Sequence, residues 1–158
     1  MPVALPLLVR HGSLDVSDRG NPLYEGAKHY LERDSSERAI FSRLEREPHH
    51  VYLRLNDRND DSYDASTRTI HWDPYSALRT TTGGRQSPAL GLGHEADHAT
   101  TNSGKLIDGW NTPVRAYDDV EERRVILGSE AHAARTLGEA RRHNHAGTCY
   151  RVASPIDR

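Results

Sequence analysis

The chain reads as an α+β domain, and three observations lead there. Apolar residues recur at helical spacing in several stretches, and other short stretches alternate apolar with polar side chains. No run is long and apolar enough to span a bilayer. The expected architecture is a set of helices packed on a short antiparallel sheet, with a groove between the sheet edge and one central helix.

Taken in order, residues 1–21 are rich in Pro, Gly, Asp and Ser and predict an irregular lead-in to a folded domain over 22–158. Their opening nine residues are apolar but carry two prolines and no cationic leader, a poor signal peptide. From Pro22 to Glu32, Leu23, Ala27, Tyr30 and Leu31 have helical spacing, with Pro22 acceptable at the first helical position. A second helix is expected from Asp34, which stands three residues before Glu37 at capping-box spacing. Val51, Leu53 and Leu55 alternate with polar-tipped neighbours and predict a strand. A second strand over 67–72 would pair with it antiparallel across the polar loop 56–66. The Asp and Asn density of that loop raises calcium, but the EF-hand ligand order and closing Glu are missing, so a solvated turn is expected.

Residues 80–86 predict a loop, and Ser87-Pro88 an N-cap and first position of a third helix reaching Ala99. A polar stretch through Asn102, Ser103 and Gly104 and a loop with Trp110 and Pro113 then lead to a fourth helix over 119–142. There Val120, Ile126, Leu127, Ala131, Ala134 and Leu137 are available for burial, and Gly128 and Gly138 are weak points. A last extended segment surrounds Tyr150 and Val152.

Composition narrows the function classes. The 158 residues allow one domain, and 21 basic against 23 acidic residues leave a net charge of −2. No basic stripe marks a nucleic-acid partner, and no membrane partner is indicated. Only 35% of residues are hydrophobic, with a mean hydropathy of −0.81, so the core is modest. The lone Cys149 forms no internal disulfide and is expected as a small buried side chain.

The chemistry concentrates in His94-Glu95-Ala96-Asp97-His98, an H-E-x-x-H string inside the third helix. Spacing i, i+4 puts both imidazoles on one face, one turn apart, where they can share a metal ion. Glu95 lies about 100° around the helix from His94, so its carboxylate reaches a metal-bound water in place of the metal. A catalytic zinc takes three protein ligands and one water, which a general base deprotonates. The third ligand is expected downstream, from Glu121 or Glu122, which open the fourth helix and diverge by about 100°. The bland reading of both is that they complement the helix dipole. Glu130, two turns on, could orient a ligand histidine.

The order of segments resembles the NleD-like (M91-type) effector metallopeptidases. It runs from Asp34-Ser35-Ser36-Glu37 through Val51–Leu55 and Ile70-His71-Trp72-Asp73-Pro74 to Gly91–Ala99, with its metal motif. It continues with Glu121-Glu122, Leu137-Gly138-Glu139, Arg141-Arg142, Asn144-His145-Ala146-Gly147 and Tyr150. The resemblance covers about residues 25–155 and implies a compact zincin domain that binds Zn2+. It further implies secretion without a cleaved signal and cleavage of proteins inside a host or competitor cell, with a cognate immunity protein or secretion chaperone as further partners. It favours Glu122 as third ligand, with Glu121 the alternative, and offers Tyr117 as a donor to the developing oxyanion. Asp97 departs from the pattern, which has an apolar residue there.

Other readings stay open. His145 could serve substrate or a ligand, or be merely structural; the His143-Asn144-His145 string raises a nuclease toxin, although nucleases of that name disperse these residues. A zinc amidase acting on cell-wall peptides and a non-catalytic metal-binding module are the remaining alternatives.

Overall fold

A computed structural model describes residues 4 and 7–158. Strands β1 (Leu8–His11) and β2 (Leu14–Ser17) are followed by helices α1 (Asn21–Leu31) and α2 (Ser35–Leu44). Then come β3 (Val51–Leu55), β4 (Ser62–Asp64) and β5 (Thr69–Trp72), which complete a five-stranded sheet in the order β1-β2-β3-β5-β4. A three-stranded antiparallel sheet is built from β6 (Ser76–Arg79), β7 (Arg85–Gln86) and, from the chain's end, β10 (Thr148–Arg151). Between β7 and β10 lie α3 (Pro88–Thr100), α4 (Ser103–Trp110), the two-residue strands β8 (Pro113–Val114) and β9 (Asp118–Asp119), α5 (Val120–Val125), a wide π turn (Ile126–Glu130) and α6 (Ala131–Leu137). The α+β expectation holds, with helices against small mixed sheets. Among the described residues no helix is long and apolar enough to cross a membrane.

Helix α3 is the centre of the fold. Every residue from Pro88 to Ala99 except Gly91 is buried, and the helix packs against α1, α2, β4, β5 and the π turn. Its start is fixed three ways. The Ser87 hydroxyl accepts from the Leu90 amide at 3.3 Å, the Glu139 carboxylate accepts the Ser87 amide at 2.6 Å, and the Trp72 indole donates to the Pro88 carbonyl at 2.8 Å. Trp72, Phe41, Leu44, Leu31 and Ile70 fill the core beneath it. Asp34 caps α2 as expected, accepting from the Ser36 and Glu37 amides.

Several expectations need correction. The part of 1–21 that is described is not an irregular lead-in. Gly12, at φ 59°, turns a hairpin whose strand β2 lies second in the sheet with Leu14 and Val16 fully buried. The domain therefore does not begin at residue 22; residues 1–3, 5 and 6 lie outside the described residues. The strand's apolar alternation spans only three residues, and the turn formers around it hide it. β3 and β5 are parallel, so the main sheet is mixed: β4 is the antiparallel partner of β5, inserted from the loop expected over 56–66. β2 and β3 are parallel too, because α1 and α2 carry the chain back between them.

Residues 80–84 close the β6–β7 hairpin, Arg85–Gln86 of the expected loop form strand β7, and Ser103–Trp110 is a helix capped by Asn102. The last long helix stops at Leu137, where Gly138 takes the left-handed C-cap at φ 72°, and Leu127 is exposed at the π turn. Cys149 is exposed on the edge strand β10.

Candidate metal centre

His94 and His98 stand on α3 with ring centroids 4.7 Å apart and their Nε2 atoms 3.0 Å apart. Glu122 reaches both from α5: Oε2 lies 2.8 Å from His94 Nε2 and Oε1 lies 3.2 Å from His98 Nε2. Ligands at 2.0–2.1 Å around a tetrahedral zinc stand about 3.3 Å from one another, so these three donors fit such an ion after small shifts. His145 approaches from the segment before β10. Its Nε2 is 3.2 Å from Glu122 Oε2, and its Nδ1 pairs with the Asp118 carboxylate. The donor atoms of His94, Glu122 and His145 also converge, all lying within 4.8 Å of one another. In the Asp/Asn-rich loop, by contrast, side-chain oxygens of Asn56, Asp60 and Asp64 accept turn hydrogen bonds, as in a solvated turn.

The far side of each imidazole is held by a carboxylate. Glu130 Oε2 sits 2.7 Å from His94 Nδ1, and Glu121 Oε1 sits 3.0 Å from His98 Nδ1. With Nδ1–H donated to these acids, both Nε2 lone pairs point at each other and at Glu122, a convergence of acceptors that needs positive charge. The electrostatics agree. Burial pulls His94 down, but hydrogen bonds to Glu122 and Glu130 outweigh it and hold the ring at about 10. His98, opposed by burial in the same way, is held at about 9 by Glu121 and Glu122. Glu122 and Glu130 lie well below the usual carboxylate range: burial raises each, and the histidines, with Arg142 for Glu130, overcome it.

Glu121, the alternative ligand, is therefore placed behind His98 and away from the Nε2 side. Adjacent helical residues diverge, and Glu122 is the one that turns toward both Nε2 atoms. The π turn explains how Glu130 reaches α3 as well. On a straight helix, residues 122 and 130 would lie about 80° apart around the axis; the wide turn takes up an extra residue and realigns them. Gly128 bears the irregular backbone there, at φ −98° and ψ −107°.

The supporting contacts reach further. Arg142 clamps Glu130 through Nε at 2.8 Å and Nη2 at 2.6 Å, and Gln86 adds a hydrogen bond at 2.9 Å. Arg124 holds Glu121 through two nitrogens and donates to Asp97 at 2.8 Å, and Ser129 donates to the other Asp97 oxygen. Asp97 thus ties α3 to α5 and the π turn. Trp110 of α4 packs 6.0 Å from the His98 ring. Gln86 and Trp110 carry no motif, and only their place in the fold discloses them.

Glu95 differs from its neighbours. Its side chain is buried, makes no hydrogen bond among the described residues, and lines a groove with His94, Arg142, His145, Asp61 and Cys149. Burial is the largest influence on its carboxyl and raises it, opposed by the charges of His94 and His98. Tyr117 is not brought to this groove: it is half-buried in the turn before β9 and makes no side-chain hydrogen bond to the cluster among the described residues. The left-handed backbones of Ala116 and Asp118 shape that turn, which instead anchors His145 through the Ala116 carbonyl at 2.8 Å and the Asp118 side chain.

Glu130→Gln tests the buttress. An amide can donate to His94 Nδ1 and leave the proton on Nε2, so zinc affinity is expected to fall roughly tenfold to a hundredfold, read by competition with a chelating dye. Unchanged affinity would remove Glu130 from the ligand's support.

No protein-family model, no curated protein and no solved structure matches this chain.

Proposed function

We propose that the chain is a zinc-dependent endopeptidase of zincin type, with His94, His98 and Glu122 as ligands and Glu95 as general base. The observation that carries the reading is the convergence of two buttressed Nε2 atoms and one carboxylate beside an unpaired, groove-lining glutamate. A zinc ion held there would supply Lewis acidity and a water whose pKa falls to about 7. Glu130 and Glu121 hold the rings in the tautomer that offers Nε2. Glu95 accepts a proton at its carboxylate and returns it to the leaving amine. His145, oriented by Asp118, faces the same groove and donates from Nε2, when that atom carries a proton, to the oxygen that gains charge.

On the resemblance to NleD-like enzymes, the reading extends to a secreted effector or toxin domain whose substrate is a protein of the target cell. Purified chain is expected to bind one equivalent of zinc and to cleave denatured protein, with cleavage lost on chelation. Peptidoglycan fragments offered in parallel separate it from an amidase.

One observation favours a second reading, a closed non-catalytic site: the His145 donor atom converges with those of His94 and Glu122. His145→Ala distinguishes the two. Retained zinc with cleavage lowered about a hundredfold fits the peptidase; loss of zinc fits a four-ligand structural site.

A further inference from the structure

Asp61 ends the loop between β3 and β4 and is held rigidly. Its Oδ1 accepts the Asp73 amide at 2.8 Å. Asp73 in turn receives the Asn59 amide at 2.9 Å and the Arg151 guanidinium at 2.5 Å, locking the loop to the ends of β5 and β10. Asn59, at φ 55°, supplies the left-handed turn that allows this. The other oxygen, Oδ2, has no partner among the described residues. It rests against Gly91, where a Cβ would lie 2.5 Å away, and Asp61 lines the groove with Glu95.

Both nearby cations are engaged elsewhere, Arg151 with Asp73 and Arg142 with Glu130. Burial is the main reason that the Asp61 carboxyl is pushed up to about 8, with the charge of Glu95 adding to it. A carboxyl so placed gains most from a cation brought by a ligand. One free oxygen is too few for calcium, which takes six to eight.

Position defines the occupant. Gly91 precedes Glu95 by four residues, about 6 Å of backbone rise along α3, so Asp61, resting against Gly91, stands within one helical turn of the general base and feels its charge. An extended peptide advances about 3.3 Å per residue. We infer that Asp61 binds a cationic group of the substrate, an ammonium or guanidinium, within one or two residues of the bond that is cut. The inference rests on the peptidase reading and names the substrate chemistry of that same groove. A Lys or Arg side chain beside an internal bond carries the cation of an endopeptidase substrate, the substrate's own α-ammonium that of an exopeptidase substrate, and the test separates them.

N-acetylated quenched-fluorescence peptides that place Arg, Lys, norleucine or Glu at each position near the cut are compared with the free-amine norleucine peptides. The zinc-loaded chain is used, as wild type and as Asp61→Asn, which keeps the Oδ1 contact. The expected kcat/KM of the best cationic peptide exceeds that of its norleucine counterpart on the order of a hundredfold, and the ratio collapses toward one in Asp61→Asn. Preference among acetylated peptides assigns a side-chain subsite; preference confined to free amines assigns the α-ammonium.

A binding arm uses Glu95→Gln and chemical-shift titration with N-acetyl-arginine amide, arginine amide, norleucine amide and N-acetyl-norleucine amide. A wild-type ratio near one, or one that Asp61→Asn leaves unchanged, overturns the inference while the peptidase reading survives. Absence of cleavage with Asp61-dependent binding of a cationic amide overturns the peptidase reading and keeps the subsite. Absence of both overturns both.

Discussion

Glu95→Ala is expected to retain one zinc per chain and an equal or higher melting temperature while cleavage falls on the order of 10²–10⁴-fold. The three outcomes have separate causes. Metal is retained because His94, His98 and Glu122 converge without Glu95. Stability does not fall because the Glu95 carboxylate has no hydrogen-bond partner among the described residues, so its removal strands no donor and relieves a buried charge. Cleavage falls because Glu130, Glu121 and Glu122 are all bound to the imidazoles, and Asp61, the other carboxylate lining the groove, rests a helical turn away against Gly91. Plasma emission for zinc, a thermal melt and a cleavage assay on one preparation suffice. Loss of zinc would make Glu95 a ligand, and undiminished cleavage would remove it as the base.

The site is unevenly legible in the sequence. Ser87 and Pro88 announce the start of α3, and i, i+4 spacing puts both imidazoles on one face, so this half follows from local rules. Glu122 and Glu121 are visible as candidates, but which carboxylate meets Nε2 and which meets Nδ1 depends on how α5 is rotated against α3. Rotation of that kind is a tertiary property. The alignment of Glu130 needs the π turn at Ile126–Glu130, which Gly128 signals only as a weakness in a helix.

Arg124, Gln86 and Trp110 lie outside the motif and meet it through sheet and helix packing. The fold shows the same division. α1, α2 and α3 carry periodicity, and α2 and α3 carry side-chain caps. β1–β2 and α4 are short, and turn-forming residues within and around them resemble loop. The parallel pairing of β3 with β5 depends on where β4 inserts, which no alternation pattern encodes.

Glu37 provides the second test, through pH. It is fully buried in α2, both carboxylate oxygens lack partners among the described residues, and a Cβ on Gly93 would lie 2.6 Å from its Oε2. Burial first, and then the charges of Asp97, Asp34 and Glu130, push its carboxyl from 4.5 up to about 8. The folded chain therefore keeps this proton where the unfolded chain has released it. Its contribution to stability is fully present below 4.5 and is lost as pH rises through about 8.

From a pH of about 5 to about 8 the loss amounts to about 3 kcal/mol, or roughly 6–12 °C in melting temperature for a domain of this size. Glu37→Gln cannot ionise, so its advantage over wild type should be small in mild acid and should widen by that amount toward alkaline pH. Both proteins are melted at matched metal loading across the range. Parallel curves would mean that Glu37 has a counter-charge or releases its proton at an ordinary pH. Divergence would place a neutral acid directly behind Gly93, one residue from the first histidine, where packing and not charge sets the position of α3.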